Sequence, residues 1–371
     1  MNSFLSSERS KESYFEKISS EPENTIRNRK NAIRSFEKFS IEQLGESSDS
    51  VIIELKKIKQ ESEPEQYEES LYDLLQKWIN WRTKTGSKAN TVIVVFSCLR
   101  SYLYYRGIKT DPQDIKQYLT FEKCAIEEKH PLSLEEFRTI VNGFANNPRR
   151  QAIYLVQGSS GMRIGEILNL RKNDFDLSLD RIKITIPAEF TKTRQSRSVF
   201  ISKEAGKLVE KILNSIDSNE LVFHSSKNIT NARINERTAL IRLGNRLGGI
   251  FTETYPNSVT RKITSHSFRA YFFTKTVRIH GENFAHRFTG HKGYLMQYDR
   301  MTEKERLDLY IKLEPELVVF DQSKNELEIS RLKQDNTSII ALREEVEKLK
   351  TERVKSDKEI LEQFKINSRI V

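Results

Sequence analysis

The chain is poor in the residues that stabilise small secreted or metal-binding domains. Its 371 residues include 2 cysteines, Cys98 and Cys124, which lie far apart and match no metal-site spacing, so we expect ordinary thiols in a reducing compartment. No apolar run approaches the roughly 18 residues of a membrane span, and residues 1–15 lack the apolar core of a signal peptide. We therefore expect a cytoplasmic protein with no membrane segment.

Proline and glycine are also scarce, with 8 and 14 residues, while Glu, Lys, Leu and Ile are abundant. This composition predicts a mainly helical chain. The formal net charge of +10 favours a nucleic-acid partner, although a merely soluble basic protein would carry the same surplus.

Changes in composition divide the chain into segments, and its length allows two domains with additional segments. We predict a flexible N-terminus (1–20), a helical domain (21–119), a linker (120–131), a helix-dominated domain with a small antiparallel sheet (132–317) and a helical tail (318–371). Ser133 and Glu136 form a capping-box pattern that predicts the first helix of the second domain. Predicted helices there include 163–171 and 293–312, and predicted strands are 181–187, 197–202 and a short one at 221–223.

The tail carries apolar residues at heptad spacing. Leu332, Ile339 and Val346 are seven apart, and Leu342 and Leu349 follow the last two by three. This pattern is typical of a coiled coil, with a possible partner helix bound through 325–360. A single helix packed back on its own domain would show a similar pattern.

Three stretches of the second domain carry polar residues suited to phosphate chemistry. They are GSSGMRIGEILNLRKNDFD (158–176), two alternating strands around a basic turn (182–202), and a stretch with an H-x-x-R motif (264–300). In chain order they supply Arg163, Lys192, His266, Arg269, His291 and Tyr298. Arg and His can hold a phosphate, and Tyr is a possible nucleophile. No Asp/Glu pair lies among them, which separates this set from a two-metal nuclease.

This order resembles the tyrosine recombinase (integrase) family, whose pattern is Arg, a hairpin Lys, His-x-x-Arg, His or Trp, then Tyr. The stretch SGMRIGEILNL is similar to that family's first motif. The resemblance covers roughly residues 20–315, and the specific motifs lie within 158–300. GHKGYL followed by Tyr-x-Arg is similar to archaeal and archaeal-virus members. The family's architecture is a helical, SAM-like core-binding domain and a mixed catalytic domain.

The resemblance implies a role for each residue. Arg163 and Arg269 would meet the negative charge on the attacked phosphate, and Lys192 would protonate the leaving 5′ oxygen. His266 and His291 would donate to the phosphate or assist proton transfer. Tyr298 would be the nucleophile.

Other residues near these positions bear on the assignment. Glu166, on the same helix face as Arg163, would brace it without reacting. Lys183, Arg194 and Arg197 lie near Lys192, and any of them could approach DNA. Many bacterial members place the tyrosine nine residues after the histidine, whereas Tyr298 follows His291 by seven, and Tyr294 is a less favoured alternative. His280 and His286 are expected to be ordinary structural histidines.

The expected partner is double-stranded DNA carrying specific recombination sites. We expect self-association to a tetramer on DNA, with no metal and no other cofactor, and a location at the nucleoid or in the host cell of a virus or mobile element. The predicted DNA-contacting residues are Arg27, Arg29, Lys30, Arg82, Lys88, Arg100, Arg194 and Arg197. The function implied is site-specific recombination through a 3′-phosphotyrosine. The alternatives are a type IB-like topoisomerase and a non-catalytic architectural DNA-binding protein.

Overall fold

A computed structural model describes residues 9–123, 127–226, 228–256, 258–290 and 300–367, with side chains to residue 353. The chain forms two compact units, Met1–Glu127 and Glu128–Val371. The division between them lies inside the predicted linker (120–131). Each unit has its own apolar core.

The first unit is entirely helical in its described part. Its helices are α1 (Lys11–Lys17), α2 (Glu23–Phe39), α3 (Ser48–Glu61), α4 (Pro64–Lys84), α5 (Ala89–Tyr105) and α6 (Pro112–Tyr118). α2 continues into one turn of π-helix, Ser40–Leu44. Phe36, Trp78 and Leu99, from α2, α4 and α5, are fully buried. Their spacing on amphipathic helices brings three apolar faces together.

The flexible N-terminus predicted for 1–20 is wrong for Lys11–Lys17, which forms α1. Ser10 and Ser13 exchange hydrogen bonds in a capping box. Tyr14 and Ile18 are buried in the core of the first unit. These two apolar residues, spaced four apart, outweigh the serine- and charge-rich composition around them.

The second unit is helical around a small sheet. Its helices are α7 (Leu134–Gly143), α8 (Pro148–Ser160), α9 (Ile164–Ile167), α10 (Lys203–Leu213), α11 (Ile229–Leu247), α12 (Ser265–His280), α13 (Glu282–Thr289), α14 (Glu303–Leu313) and α15 (Asp321–Asn367). The strands β1 (Phe175–Asp176), β2 (Lys183–Ile186) and β3 (Arg197–Phe200) pair antiparallel in that order, with Ile184 opposite Val199. α8 is the buried centre, packed against α10 and α12.

Three predicted elements differ from the structure. The helix predicted at 163–171 ends at Ile167, because Leu170 leaves the helix to accept a hydrogen bond from the Val222 amide. The strand predicted at 221–223 is only an isolated bridge between Leu221 and Arg171. The helix predicted at 293–312 begins at Glu303 within the described residues, where Thr302 caps α14.

The tail begins later than predicted. Val318 and Val319 are buried with the second core, and the Glu204 carboxylate accepts hydrogen bonds from the amides of Val319 and Phe320 at 3.0 and 2.9 Å. Residues 318–320 therefore belong to the second unit's core rather than to the tail. Beyond them, residues 328–353 of α15 are exposed, so this stretch does not pack back on its own domain. None of the helices in the described ranges is both long and apolar enough to cross a membrane.

Candidate active site

Arg163 is placed by a tight glycine turn. Gly161 ends α8 in the left-handed conformation, φ 67°. A side chain there would put its Cβ 2.4 Å from the Phe272 ring, so both φ and space require glycine. The chain then extends through Arg163, the N-cap of α9, whose side chain stays 29% exposed. The glycine turn thus leaves the Arg163 side chain partly exposed at the start of α9.

Glu166 holds Arg163 in place. Its carboxylate accepts from the Arg163 guanidinium at 3.0 Å and from the Arg163 amide at 2.8 Å. Arg197 donates to both of its oxygens, at 3.1 and 2.7 Å. Burial raises the pKa of Glu166, but hydrogen bonds and charge from Arg197 and Arg163 outweigh it and hold that pKa below its usual value. The carboxylate is ionised at neutral pH and restrains both arginines.

Arg197, predicted to contact DNA, is instead bonded within the protein in this structure. Its side chain is 10% exposed, and its Nε donates to the Phe288 carbonyl at 2.9 Å. Gly290 lies directly against it, since a Cβ at Gly290 would approach the Arg197 guanidinium to 2.8 Å. Arg197 therefore connects Glu166, at α9, to the end of α13. Its signal in the sequence, a lone Arg at the start of a strand, resembles that of any surface arginine.

Arg269 is the most buried member of the set. The residue is 2% exposed, and its two terminal nitrogens donate to the carbonyls of Gly161 at 2.5 Å and Thr289 at 2.6 Å. Burial, followed by the charge of Arg163, lowers the pKa of Arg269 to about 9, so it remains protonated at neutral pH. Arg163 and Arg269 carry like charges that repel each other, and the fold holds both in place. An anion bound between them would be stabilised.

His266 lies one turn before Arg269 on α12 and is exposed. Burial of part of the ring, followed by the charges of Arg269 and Arg163, lowers its pKa. The imidazole is consequently neutral at pH 7 and keeps one donor and one acceptor nitrogen. His280 differs, since its Nε2 is bonded to the Leu309 carbonyl at 2.8 Å, and the His286 ring contacts Phe273 at a tilt, with ring centroids 5.3 Å apart.

Lys192 lies on an exposed turn between β2 and β3. The base of the turn is held by Thr191, whose Oγ1 accepts from the Gln195 amide at 3.0 Å. Arg194, at φ 53°, is exposed beside it. Within the described ranges neither Lys192 nor Arg194 forms a salt bridge. Lys183 does, with Asp176 at 3.1 Å and Glu303 at 2.8 Å, so its ammonium is committed to the sheet and α14.

The predicted DNA contacts of the first unit divide into exposed and structural residues. Arg29 is bonded within the first unit: it donates to the Tyr14 and Ser101 hydroxyls at 2.9 and 2.8 Å and pairs with Glu21 at 2.9 Å. The other predicted contacts have fewer bonds within the protein. Arg27 donates a hydrogen bond to Asn24, and Arg100 donates one to Thr110. The Lys30 ammonium lies over the Phe15 ring, the Nε of Arg82 is buried, and Lys88 is exposed.

Three predicted site residues, His291, Tyr294 and Tyr298, lie outside the described residues. Their flanks are described. Gly290 packs on Arg197, and Glu303 at the start of α14 pairs with Lys183. Among the described residues, no group of three or more His, Cys, Asp or Glu side chains is arranged to hold a metal ion.

The mainly helical second unit, with a three-stranded antiparallel sheet among its described residues, has the fold of a tyrosine-recombinase catalytic domain. Residues 132–296 match the family model of the phage integrase family. The match supports site-specific recombination as the activity of this domain. The tail and the helical first unit lie outside the match.

Solved structures share the fold. The integrase of transposon Tn1549, in complex with transposon right end DNA, is 15% identical with a TM-score of 0.53, over 81% of this chain and 97% of that chain. A lambda integrase dimer bound to a COC′ core site is 13% identical with a TM-score of 0.50, over 79% and 97%. No curated protein gives a significant match. At these identities the likeness establishes the fold.

Proposed function

We propose that this protein is a site-specific DNA recombinase that cuts and rejoins strands through a 3′-phosphotyrosine. The observation that carries the proposal is the arginine pair. Arg163 and Arg269 are held by Glu166 and by two backbone carbonyls, so their positive charge is in place before DNA arrives. Preorganised charge of this kind stabilises a phosphorane transition state most strongly.

Each remaining residue has one step in the proposed reaction. The Tyr298 phenol releases its proton to solvent as its oxygen attacks the scissile phosphorus, and the P–O bond to the 5′ oxygen breaks. Lys192, exposed and without a salt bridge in the described ranges, protonates that leaving oxygen. His266, whose pKa is lowered first by burial and then by the neighbouring arginine charges, donates to a phosphate oxygen in its neutral form. His291 assists it. In the return step, a 5′-hydroxyl from the partner duplex attacks the phosphotyrosine and releases Tyr298.

We further propose that Tyr298 attacks in cis. Both flanks of its segment are fixed to the second unit. On one side Gly290 lies on Arg197, and on the other α14 is tied down by the Tyr310 hydroxyl, which donates to the Ser159 carbonyl at 2.8 Å, and by Lys183 at Glu303. Mixing Arg163→Ala with Tyr298→Phe protein tests this, because a trans reaction would restore cleavage and a cis reaction would not.

The wider assembly follows from the same chemistry. Two duplexes and four active sites require four protomers on DNA, with phosphate contacts from exposed basic residues such as Arg27, Lys88 and Arg194. α15 is proposed as a coiled-coil segment that binds a partner helix. We place the protein at the nucleoid, as the integrase of a mobile element, with the GHKGYL form favouring an archaeal virus.

A suicide substrate tests the proposal. DNA carrying the gene's own flanks is nicked near each trial site, so that the cut fragment diffuses away and the covalent complex accumulates. We expect a denaturant-resistant protein–DNA adduct, with the modified residue mapped to Tyr298 by mass spectrometry. The Tyr298→Phe variant should form none, and the matched Tyr294→Phe variant should react normally.

Other outcomes would replace the proposal. Relaxation of any supercoiled plasmid without sequence preference would favour a topoisomerase. DNA binding with no adduct on any nicked substrate would favour an architectural protein. An adduct at Tyr294 would move the nucleophile.

A further inference from the structure

The tail helix α15 is fixed at its base and free beyond it. Arg138 donates to the Val319 carbonyl at 2.8 Å and to Asp321 at 2.9 Å, and Lys207 pairs with Glu326 at 2.6 Å. From 328 to 353 every residue is exposed. At a rise of about 1.5 Å per residue, that stretch extends roughly 40 Å. Because most of a helix's stability in a protein comes from packing of its apolar face, these exposed apolar side chains call for a partner.

The apolar side chains form one stripe at heptad spacing. Leu332, Ile339 and Val346 occupy successive a positions, and Leu342 and Leu349 occupy the d positions after Ile339 and Val346. All five are between 47% and 60% exposed. In the seam of 339–349, the β-branched Ile339 and Val346 at a, combined with leucine at d, favour two parallel strands over three or four. The residue types therefore indicate the stoichiometry.

The charges beside the stripe indicate its orientation. Glu345 is at g and Lys350 is at the following e position, so in a parallel pair they meet across the interface twice. In an antiparallel pair e faces e and g faces g. Arg343 would then approach Lys350, and Glu345 would approach Glu352, which places like charges together. Lys350 contacts Glu347 in its own helix at 2.8 Å, but an exposed pair of that kind is weak and easily exchanged.

We propose that α15 binds α15 of a second copy of this chain as a parallel, in-register, two-stranded coiled coil centred on 339–349. Asp335 at d and Arg353 at a bound the apolar seam, which keeps it short and the dimer reversible. Because each helix base is fixed to its own second unit, the coil holds two of these units together in the absence of DNA. This inference concerns the tail and does not depend on the proposed catalysis.

Sedimentation equilibrium of the full-length protein without DNA tests the proposal with a matched pair of variants. Ile339 and Ile340 are adjacent, 47% and 57% exposed, and differ in that Ile340 occupies a b position outside the seam. Ile339→Asp should weaken dimerisation by about a hundredfold or more. Ile340→Asp, with the same cost in helix propensity, should leave it close to wild type. A wild-type monomer, or equal loss in both variants, would overturn the proposal.

Charge reversal tests the orientation in the same assay. In a parallel dimer Glu345→Lys faces Lys350 of the partner copy and should weaken association by roughly tenfold. Adding Lys350→Glu should restore it. If Glu345→Lys instead strengthens association, the helices are antiparallel and the proposed pairing is wrong. Far-UV circular dichroism of each variant shows whether the second unit remains folded.

Discussion

The arginine pair and the Lys192 turn differ in how the fold holds them. Arg269 is buried and its nitrogens are bonded to two main-chain carbonyls, while Arg163 is restrained by Glu166, which Arg197 restrains in turn. Lys192 is exposed on a turn with no salt bridge in the described ranges. The cations that would meet charge on phosphorus are fixed in advance, whereas the group that would deliver a proton is not.

The difference has a physical reason. Electrostatic stabilisation is strongest when donors need no rearrangement as charge develops, which favours burial and fixed partners. A proton donor must instead approach and leave its oxygen, and a lysine tied into a salt bridge gives up its proton less readily. Lys183, paired with Asp176 and Glu303, has this handicap, since the hydrogen bonds it donates to Glu303 and Asp176 raise its pKa. The comparison therefore favours Lys192 as the general acid.

Of the two regions, the arginine pair should give the largest effect on stability and cleavage, at Arg269. Arg269→Met leaves the carbonyls of Gly161 and Thr289 unpaired in a buried site, so it should cost about 3 kcal/mol of stability and abolish cleavage. Urea denaturation and adduct formation measure the two effects. Arg237→Met, at an exposed position on α11, should stay within about 0.5 kcal/mol of wild type. Equal stability of both variants would show that Arg269 is not held as described.

The exposed turn should show the opposite pattern. Lys192→Ala should leave stability within about 0.5 kcal/mol of wild type and slow cleavage by about 10²- to 10⁴-fold. A substrate whose leaving 5′ oxygen is replaced by sulfur needs no proton, so the variant should cleave it nearly as fast as wild type does. Equal slowing on both substrates would remove the general-acid role.

Substitutions at Arg197 and Arg194 distinguish a residue that braces the site from one that contacts DNA. The two arginines lie three residues apart, but Arg197 is mostly buried and Arg194 is exposed. Arg197→Met should slow cleavage about 10- to 100-fold with unchanged DNA affinity, since it disturbs Glu166 and the end of α13. Arg194→Met should reduce the salt dependence of DNA binding by about one unit of slope. Fluorescence anisotropy at several salt concentrations measures this. The reverse pattern would return Arg197 to the DNA surface.

The smallest effect concerns pH. Burial raises the pKa of Glu166, but its bonds to Arg197 and Arg163 leave it below the usual 4.5. Its folded pKa is therefore lower than its unfolded one. The stabilisation is present above about pH 4.5 and is lost as pH falls through the folded pKa. Urea denaturation between neutral and acid pH should show a shallower loss for Glu166→Gln than for wild type, and parallel curves would contradict the account.

Local motifs were predictable where one short stretch contains both the residue and its cause. The Gly161 turn, Arg163 and the H-x-x-R of α12 are of this kind, and so is the β2–β3 hairpin. Arg197 was not, because its partners Glu166 and Phe288 lie 31 and 91 residues away and only tertiary packing brings them together. The same applies to Arg29, whose partner Ser101 is 72 residues distant.

The predicted boundaries of two elements were wrong for a related reason. α9 stops at Ile167 because Leu170 bonds to Val222, a partner with no signal in the helix itself. Val318 and Val319 join the catalytic core because Glu204, on α10, accepts hydrogen bonds from the backbone at that point. In each case a long-range hydrogen bond decides where a local pattern ends.

One measurement tests the central claim, that the fixed arginines act on the phosphate charge. Single-turnover cleavage would compare wild type with Arg163→Ala on a normal scissile phosphate and on a neutral methylphosphonate at the same position. We predict a loss of about 10³-fold on the phosphate and a much smaller loss on the methylphosphonate, which has less charge to stabilise. An equal loss on both substrates would contradict the claim and assign Arg163 a purely structural role.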